Sequence, residues 1–340
     1  MKRWLAALLL VLLPGMAACS STAAPRDPGK VVRPVAQIAV PGRLYVTKGR
    51  TLYRFSGTHL TKLLAGTKLK DPAVSPDGAR LAFAQLEDQS SSIVVSDASG
   101  KNPKAVTAAS APEGALWAFA PGFDSEGRRI VYLTDRGKRP SNPQNLQPND
   151  LGVWAEDLAT GQARRLATPV AYTGGDSDPV FRPDAGDEVV YTSYLYGGAP
   201  LQPVARLTWM STSTGRTVYL SPDGARNFQP AFSPNGGFVA FIRAGSGSDD
   251  LYAMALAPGF AREPKPYPTE AAVLLQSGIV SQPVWAPDGS AIAFLRLVNG
   301  SFDLFILPVA TAGTLRATGQ AQAVTHGSFL DADSRLAWSP

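Results

Sequence analysis

The chain is predicted to be all-β: a six-bladed β-propeller of four-stranded antiparallel blades, closed by a C-terminal strand pairing with N-terminal strands. Three observations predict it. A near-identical phrase recurs six times, and every complete copy is followed by short apolar runs separated by turn residues. The last copy breaks off at the C-terminus, while three unpartnered strand signals stand at the front. A period of this size marks a propeller or array.

The clearest copies are Asp71-Pro72-Ala73-Val74-Ser75-Pro76-Asp77-Gly78, Gln229-Pro230-Ala231-Phe232-Ser233-Pro234-Asn235-Gly236 and Gln282-Pro283-Val284-Trp285-Ala286-Pro287-Asp288-Gly289. Asp178-Pro179-Val180-Phe181-Arg182-Pro183-Asp184 is a variant, and Trp117-Ala118-Phe119-Ala120-Pro121 and Leu336-Ala337-Trp338-Ser339-Pro340 are weaker copies. Taking the closing prolines as 76, 121, 183, 234, 287 and 340 gives intervals of 45, 62, 51, 53 and 53 residues.

Each phrase reads as the innermost strand of a blade. Proline presets φ for a turn, Asp or Asn bonds its own backbone, and Gly accepts φ > 0, so Pro-Asp-Gly is hairpin chemistry. The second strand follows as Leu81–Phe83, Ile130–Tyr132, Val189–Tyr191, Val239–Phe241 and Ile292–Phe294. The third is Ile93–Val95, Val153–Ala155, Leu207–Trp209, Leu251–Ala253 and Leu304–Ile306. Fourth strands fall at Lys104–Thr107, Arg165–Ala167, Thr217–Leu220 and Ala323–Thr325, with Lys265–Tyr267 as a poor copy. Four strands per repeat make a blade. Numbering blades by these phrases, the terminal copy opens blade six.

Within the phrase a small residue (Ala73, Ala118, Val180, Ala231, Val284, Ala337) alternates with a mostly large one (Val74, Phe119, Phe181, Phe232, Trp285, Trp338). Adjacent strand residues point to opposite sheet faces, so each innermost strand offers a bulky and a small side for nesting between blades. The missing strands of blade six are Arg43–Val46, Thr51–Phe55 and Leu60–Leu64. Pairing Leu336–Ser339 with Leu44–Val46 closes the ring and removes two exposed edges.

The front of the chain reads as an address. Basic Met1-Lys2-Arg3, apolar Trp4–Leu13 and Met16-Ala17-Ala18-Cys19 form a secretory signal over residues 1–18, too short for a bilayer span of about 20 residues. Met16–Cys19 resembles a bacterial lipobox, and Cys19 is the single cysteine, so lipidation of Cys19 is expected, followed by a Pro- and Gly-containing tether over 19–41 and the propeller over 42–340. The expected location is extracytoplasmic and membrane-anchored. The formal charge of +5 falls to +3 without Lys2 and Arg3, which gives no argument for nucleic acid.

The repeated Pro-Ala/Val-aromatic-Ser-Pro-Asp-Gly phrase with its following Leu/Ile/Val-Ala/Val-Phe/Tyr resembles the WD-like Pro-Asp repeat of TolB-type β-propellers, over roughly residues 42–340. The resemblance implies the six-bladed fold and a binding role. The family's founding member carries an added N-terminal domain that partners the Tol–Pal envelope system. Only Ser20–Pro41 stands in its place here, so no partner is carried over.

Chemistry has thin support. The two histidines, His59 and His326, lie beside outer strands, and three histidines for a zinc site are not available. No Gly-x-Ser-x-Gly elbow occurs, and Asn299-Gly300-Ser301 reads as an Asn-Gly turn. Asp71, Asp176, Asp178, Asp331 and Asp333 fall just before innermost strands, around one mouth of the channel; turn capping is favoured over a cation site. The same face carries the loop Arg136–Asp150 and the segment Tyr194–Pro200, making Arg136, Lys138, Arg139, Tyr172, Tyr194 and Tyr196 the candidate partner surface. The expected function is a monomeric, non-catalytic platform, with no cofactor and no metal, for a protein, peptide or glycan partner at the cell envelope. The alternatives are a carboxylate-dependent glycan-active enzyme and a purely structural envelope protein.

Overall fold

The computed structural model describes residues 39–64, 67–107, 117–136, 150–171, 173, 175–197, 202–222, 224–256, 271–312 and 314–340. They form a ring of six antiparallel sheets with no helix long enough to cross a membrane among them.

Strands β1 (Val40–Lys48), β2 (Thr51–Gly57) and β3 (His59–Lys62) belong to blade six. Blade one follows as β4 (Lys68–Val74), β5 (Arg80–Leu86), β6 (Ser91–Asp97) and β7 (Lys104–Ala105). Blade two is β8 (Ala118–Phe123), β9 (Arg129–Thr134), β10 (Gly152–Asp157) and β11 (Ala163–Arg165); blade three is β12 (Asp176–Arg182), β13 (Ala185–Gly197), β14 (Gln202–Ser211) and β15 (Thr217–Tyr219). Blade four is β16 (Asn227–Phe232), β17 (Phe238–Ala244), β18 (Asp249–Ala255) and β19 (Val273–Gln276). Blade five is β20 (Val280–Trp285), β21 (Ala291–Val298) and β22 (Ser301–Ala310), whose outer edge is shared by β23 (Arg316–Ala317) and β24 (Gln322–Ala323). The last strand, β25 (Ala337–Ser339), completes the sheet β25-β1-β2-β3. Its register is Arg43 with Ser339, Leu44 with Trp338 and Tyr45 with Ala337, so the predicted closure holds.

The Ser-Pro-Asp-Gly hairpin is held by its own side chains. The Ser75 hydroxyl accepts from Arg80 N–H (2.9 Å), Asp77 accepts from Ala79 N–H (3.1 Å), and Gly78 sits at φ +68°. Ser233, Asn235 and Gly236 repeat this in blade four. In blade two the carboxylate of Asp124 takes the serine's place, accepting from Arg129 N–H at 3.2 Å. Asn299 and Gly300, both at positive φ, make the expected Asn-Gly turn.

Proline cannot donate to a ladder, so within sheets it is confined to edges and bulges. Every complete innermost strand here has such a bulge, and the residue before its proline adopts φ 50–55°: Asp71, Ala120, Asp178, Gln229 and Gln282. This corrects one alignment. The bulge of β8 lies between Phe119 and Gly122, so Pro121 matches Pro72, not Pro76, and the closing position of that copy is Ser125; the intervals 45 and 62 become 49 and 58. The pattern misled because no proline closes this copy.

The blade interfaces follow the alternation of large and small residues. Trp338 of blade six joins the core of blade five with Ala293, Leu295, Leu304 and Ile306, whereas its neighbour Ala337 joins Leu81 and Phe83 of blade one. Trp285 faces Ala240, Ile242 and Leu251 of blade four, and Phe232 faces Val190, Leu207 and Trp209 of blade three. The bulky residue always points to the preceding blade.

Two expectations about strands change. The fourth strand of blade four is Val273–Gln276, paired with β18; the expected copy, Lys265–Tyr267, lies outside the described residues. Tyr194 to Gly197 are not loop but the end of the long β13, paired residue for residue with β14 down to Gly197 with Gln202.

Candidate functional site

In blades three, four and five the bulge residue lines one axial pocket, and there Asp178, Gln229 and Gln282 meet Arg335 of blade six. Arg335 occupies in blade six the position that Asp71 and Asp178 hold in theirs. Its Nε donates to Asp178 Oδ1 (3.4 Å), and its Nη1 donates to the carbonyl oxygens of Ala120 (3.2 Å), Pro121 (3.4 Å) and Pro179 (3.1 Å). One side chain thus ties blade six to blades two and three. Gln282 N–H donates to Gln229 Oε1 (2.8 Å), and Gln282 Nε2 donates to the Ala332 carbonyl (3.2 Å).

This layer is the floor of a funnel of about 480 Å³ that opens at the hairpin face. Its wall is made of the proline-bearing ends of the innermost strands, among them Pro72, Pro121, Pro230 and Pro283, with Ala231 and Val284 between. At the rim, arginines strap one blade to the next. Arg80 donates to Gly127 O (2.6 Å) with its guanidinium 5.4 Å from the Phe123 ring; Arg129 donates to Gly186 O and stands 5.2 Å from the Phe181 ring. The two side-chain carboxylates lining the funnel are both engaged: Asp124 with Arg129 (2.9 Å) and Asp178 with Arg335.

The five acids expected around one mouth do not form one cluster: Asp178 belongs to the funnel floor with Arg335, and the other four have separate partners. Asp71 is buried; it accepts from Arg335 N–H (3.1 Å) and Ala120 N–H (3.2 Å), and burial raises its pKa against the pull of Lys70 and Arg335. Asp176 is also buried, its Oδ2 has no partner among the described residues, and burial pushes its pKa up to about 7 with the Ser193 hydroxyl opposing. Asp331 caps the β1–β2 turn, accepting from Gly49 N–H (2.9 Å) and Arg50 N–H (2.8 Å). Asp333 pairs with Arg50 (2.8 Å) and Lys70 (3.3 Å); burial works against its ionised form, and the two cations outweigh it, lowering the pKa. Among the described residues no group of three His, Cys, Asp or Glu could hold a metal ion, and His59 and His326 are exposed.

Of the candidate partner residues, Arg136 lies 5.2 Å over the Trp154 ring, whose surroundings also include Arg165 at 6.0 Å. Tyr194 is half-buried, its phenol pKa raised by burial, and Tyr196 is 44 % exposed. Lys138, Arg139, Tyr172 and Cys19 lie outside the described residues. Sequence reasoning passed over Arg335, Gln229 and Gln282. The signal was present in the repeat itself, because the two glutamines stand before the proline where Asp71 and Asp178 also stand.

Fold and funnel together define a six-bladed propeller with an axial ligand-sized pocket. No family model matches the sequence, and no curated protein matches it. Among solved structures, TolB from Acinetobacter baumannii is similar at 18 % identity and TM-score 0.64, over 88 % of this chain and 67 % of that one. A TolB candidate from Agrobacterium tumefaciens is similar at 17 % identity and TM-score 0.53, over 70 % and 78 %. A manganese-bound oligogalacturonate lyase shares 15 % identity and TM-score 0.51, over 76 % and 68 %. In fold, the chain is a TolB-like β-propeller.

Proposed function

We propose that this protein is a lipid-anchored, extracytoplasmic binding platform that performs no chemistry, with the axial funnel as its principal ligand site. The signal-like front, Cys19 and the tether over 19–41 support the anchor; the TolB-like fold supports the platform. One observation carries the reading of the site. The funnel's two side-chain carboxylates are each committed to an arginine, which leaves no free Asp/Glu pair of the kind glycoside hydrolysis uses. A funnel of about 480 Å³ falls within the ligand-pocket range of roughly 300–1,000 Å³. Tyr196, and exposed Val170 (46 %), Ile279 (41 %) and Phe329 (64 %) on the inter-blade connections, offer a second contact surface on the opposite face.

The test is photo-crosslinking capture from intact cell envelopes. A probe at the funnel mouth, replacing Ser125, is expected to trap a defined protein, peptide or glycan adduct that a probe at exposed Lys101 does not. Adducts identical from both positions would refute the funnel as the site. A Cys19→Ser variant that stays in the membrane fraction would refute the anchor.

A further inference from the structure

The geometry points to an uncharged, hydroxyl-rich ligand in the axial funnel: the terminal sugar of a neutral glycan, seated on Gln229, Gln282, Asp178 and Arg335. This rests on the funnel being the ligand site, as proposed above, and adds the chemistry of what enters it.

Charge comes first. The guanidinium of Arg335 is answered by Asp178 at 3.4 Å and by three backbone carbonyls, so the floor carries no net charge to recruit an anion. The same arginine disfavours a cation, and no three-ligand metal cluster exists among the described residues. What remains is hydrogen bonding, and it is offered in both senses. Gln282 N–H occupies Gln229 Oε1 and the Ala332 carbonyl occupies Gln282 Nε2. That orients both amides and leaves Gln229 Nε2, a donor, and Gln282 Oε1, an acceptor, without a partner among the described residues. Both residues line the funnel. Arg335 lines the funnel as a fixed cation, and Asp178 adds a carboxylate that only accepts.

A hydroxyl donates and accepts at once, so neighbouring sugar hydroxyls can bridge the amide pair and the Asp–Arg pair together. The proline and aliphatic wall suits the C–H face of a pyranose. A site built to hydrogen-bond hydroxyls rejects analogues that lack them, because its polar groups would be left buried and unpaired. A peptide presents its donors and acceptors on separate, fixed groups and matches this four-group floor less well.

The full chain in detergent micelles would be titrated with cellotriose, maltotriose and chitotriose, with trigalacturonate as the anionic control and an end-capped Ala-Asn-Ala peptide as the alternative. Saturation-transfer NMR from at least one neutral trisaccharide is expected, with hydrogen exchange slowed several-fold in 229–236 and 282–289. Gln229→Met is expected to weaken that binding at least tenfold and Lys101→Ala, at an exposed turn, to leave it unchanged. Should Gln229→Met not fold, exchange protection in the unaltered chain still decides. Silence from all three neutral sugars, equal binding of trigalacturonate, or protection of the funnel by the peptide alone would each overturn the assignment. In the last case the platform reading survives; if the mouth probe also traps nothing, both fall.

Discussion

Arg335 and Asp178 meet across the axis of the ring, Nε to Oδ1 at 3.4 Å, from positions 157 residues apart in the chain. Both side chains are largely shielded from water, 11 % and 19 % exposed. Removing one partner of a shielded pair leaves the other charge uncompensated, typically at a cost of about 3–5 kcal/mol. Arg335→Ala is therefore expected to lower stability by about 3 kcal/mol, the low end because Asp178 keeps its bond from Ser177. Arg335→Met with Asp178→Asn should lose much less than the two single changes summed, since the residues share one interaction. Denaturant melts of the four proteins check this; strict additivity would show that the pair is not coupled.

Closure should be tested from the C-terminus. Trp338 packs in the core shared with blade five and donates its indole N–H to Pro41 O at 2.7 Å. Trp338→Ala is expected to cost about 3–5 kcal/mol as a large-to-small core change. Deleting 331–340 removes β25 and also the Asp331 cap on the β1–β2 turn, so its loss should be larger. Thermal melts equal to those of the full chain would contradict a sheet that depends on β25.

Asp176 makes stability depend on pH. Its folded-state pKa is raised, to about 7 from 3.8, by burial beside Tyr191. A raised pKa means the folded form holds the proton more tightly. The contribution is complete below the unfolded value near 4 and is lost as pH climbs through 7. Asp176→Asn, which cannot ionise, is expected to be more stable than the parent at pH 8, by a few kcal/mol at most (about 1.4 per pK unit), and close to it at pH 4. Chemical denaturation at the two pH values reads this out; equal differences at both would show that Asp176 does not ionise in this range.

The ring was legible because its parts are periodic. The hairpin needs Ser, Pro, Asp or Asn and Gly in a set order, and the three strand signals before the first full phrase announced a shared blade. Blade two was misaligned because Asp124 does the work of serine there and Ser125 replaces the closing proline. The chemistry of a hydrogen-bond acceptor was retained while the letters changed. The floor of the funnel was harder to see. Gln229, Gln282 and Asp178 reach one layer through the bulge before each proline, a backbone feature; Arg335 joins them from blade six, and the pairing Gln229–Gln282 spans two blades. Of the acids, Asp331 accepts from turn N–H groups, the capping favoured from the sequence, whereas Asp333 is an ion-pair partner of Arg50.

Two glycines separate backbone conformation from close approach. Gly42 has φ +70°, and a Cβ there would collide with the carbonyl oxygen of Ser339 on the strand that closes the ring. Gly49 has φ +55° in the β1–β2 turn with open space around it. Both substitutions by alanine carry the strain of a left-handed residue, on the order of 1 kcal/mol. Only Gly42→Ala must also displace β25, since the obstruction is backbone and cannot rotate away. Gly49→Ala should thus cost about 1 kcal/mol, and Gly42→Ala at least about 3, the scale of a disrupted core contact. The same variant should speed hydrogen exchange at Ala337–Ser339, which Gly49→Ala should leave as it was. If the two alanine variants melted together, the approach of Gly42 to Ser339 would not be a constraint on closure.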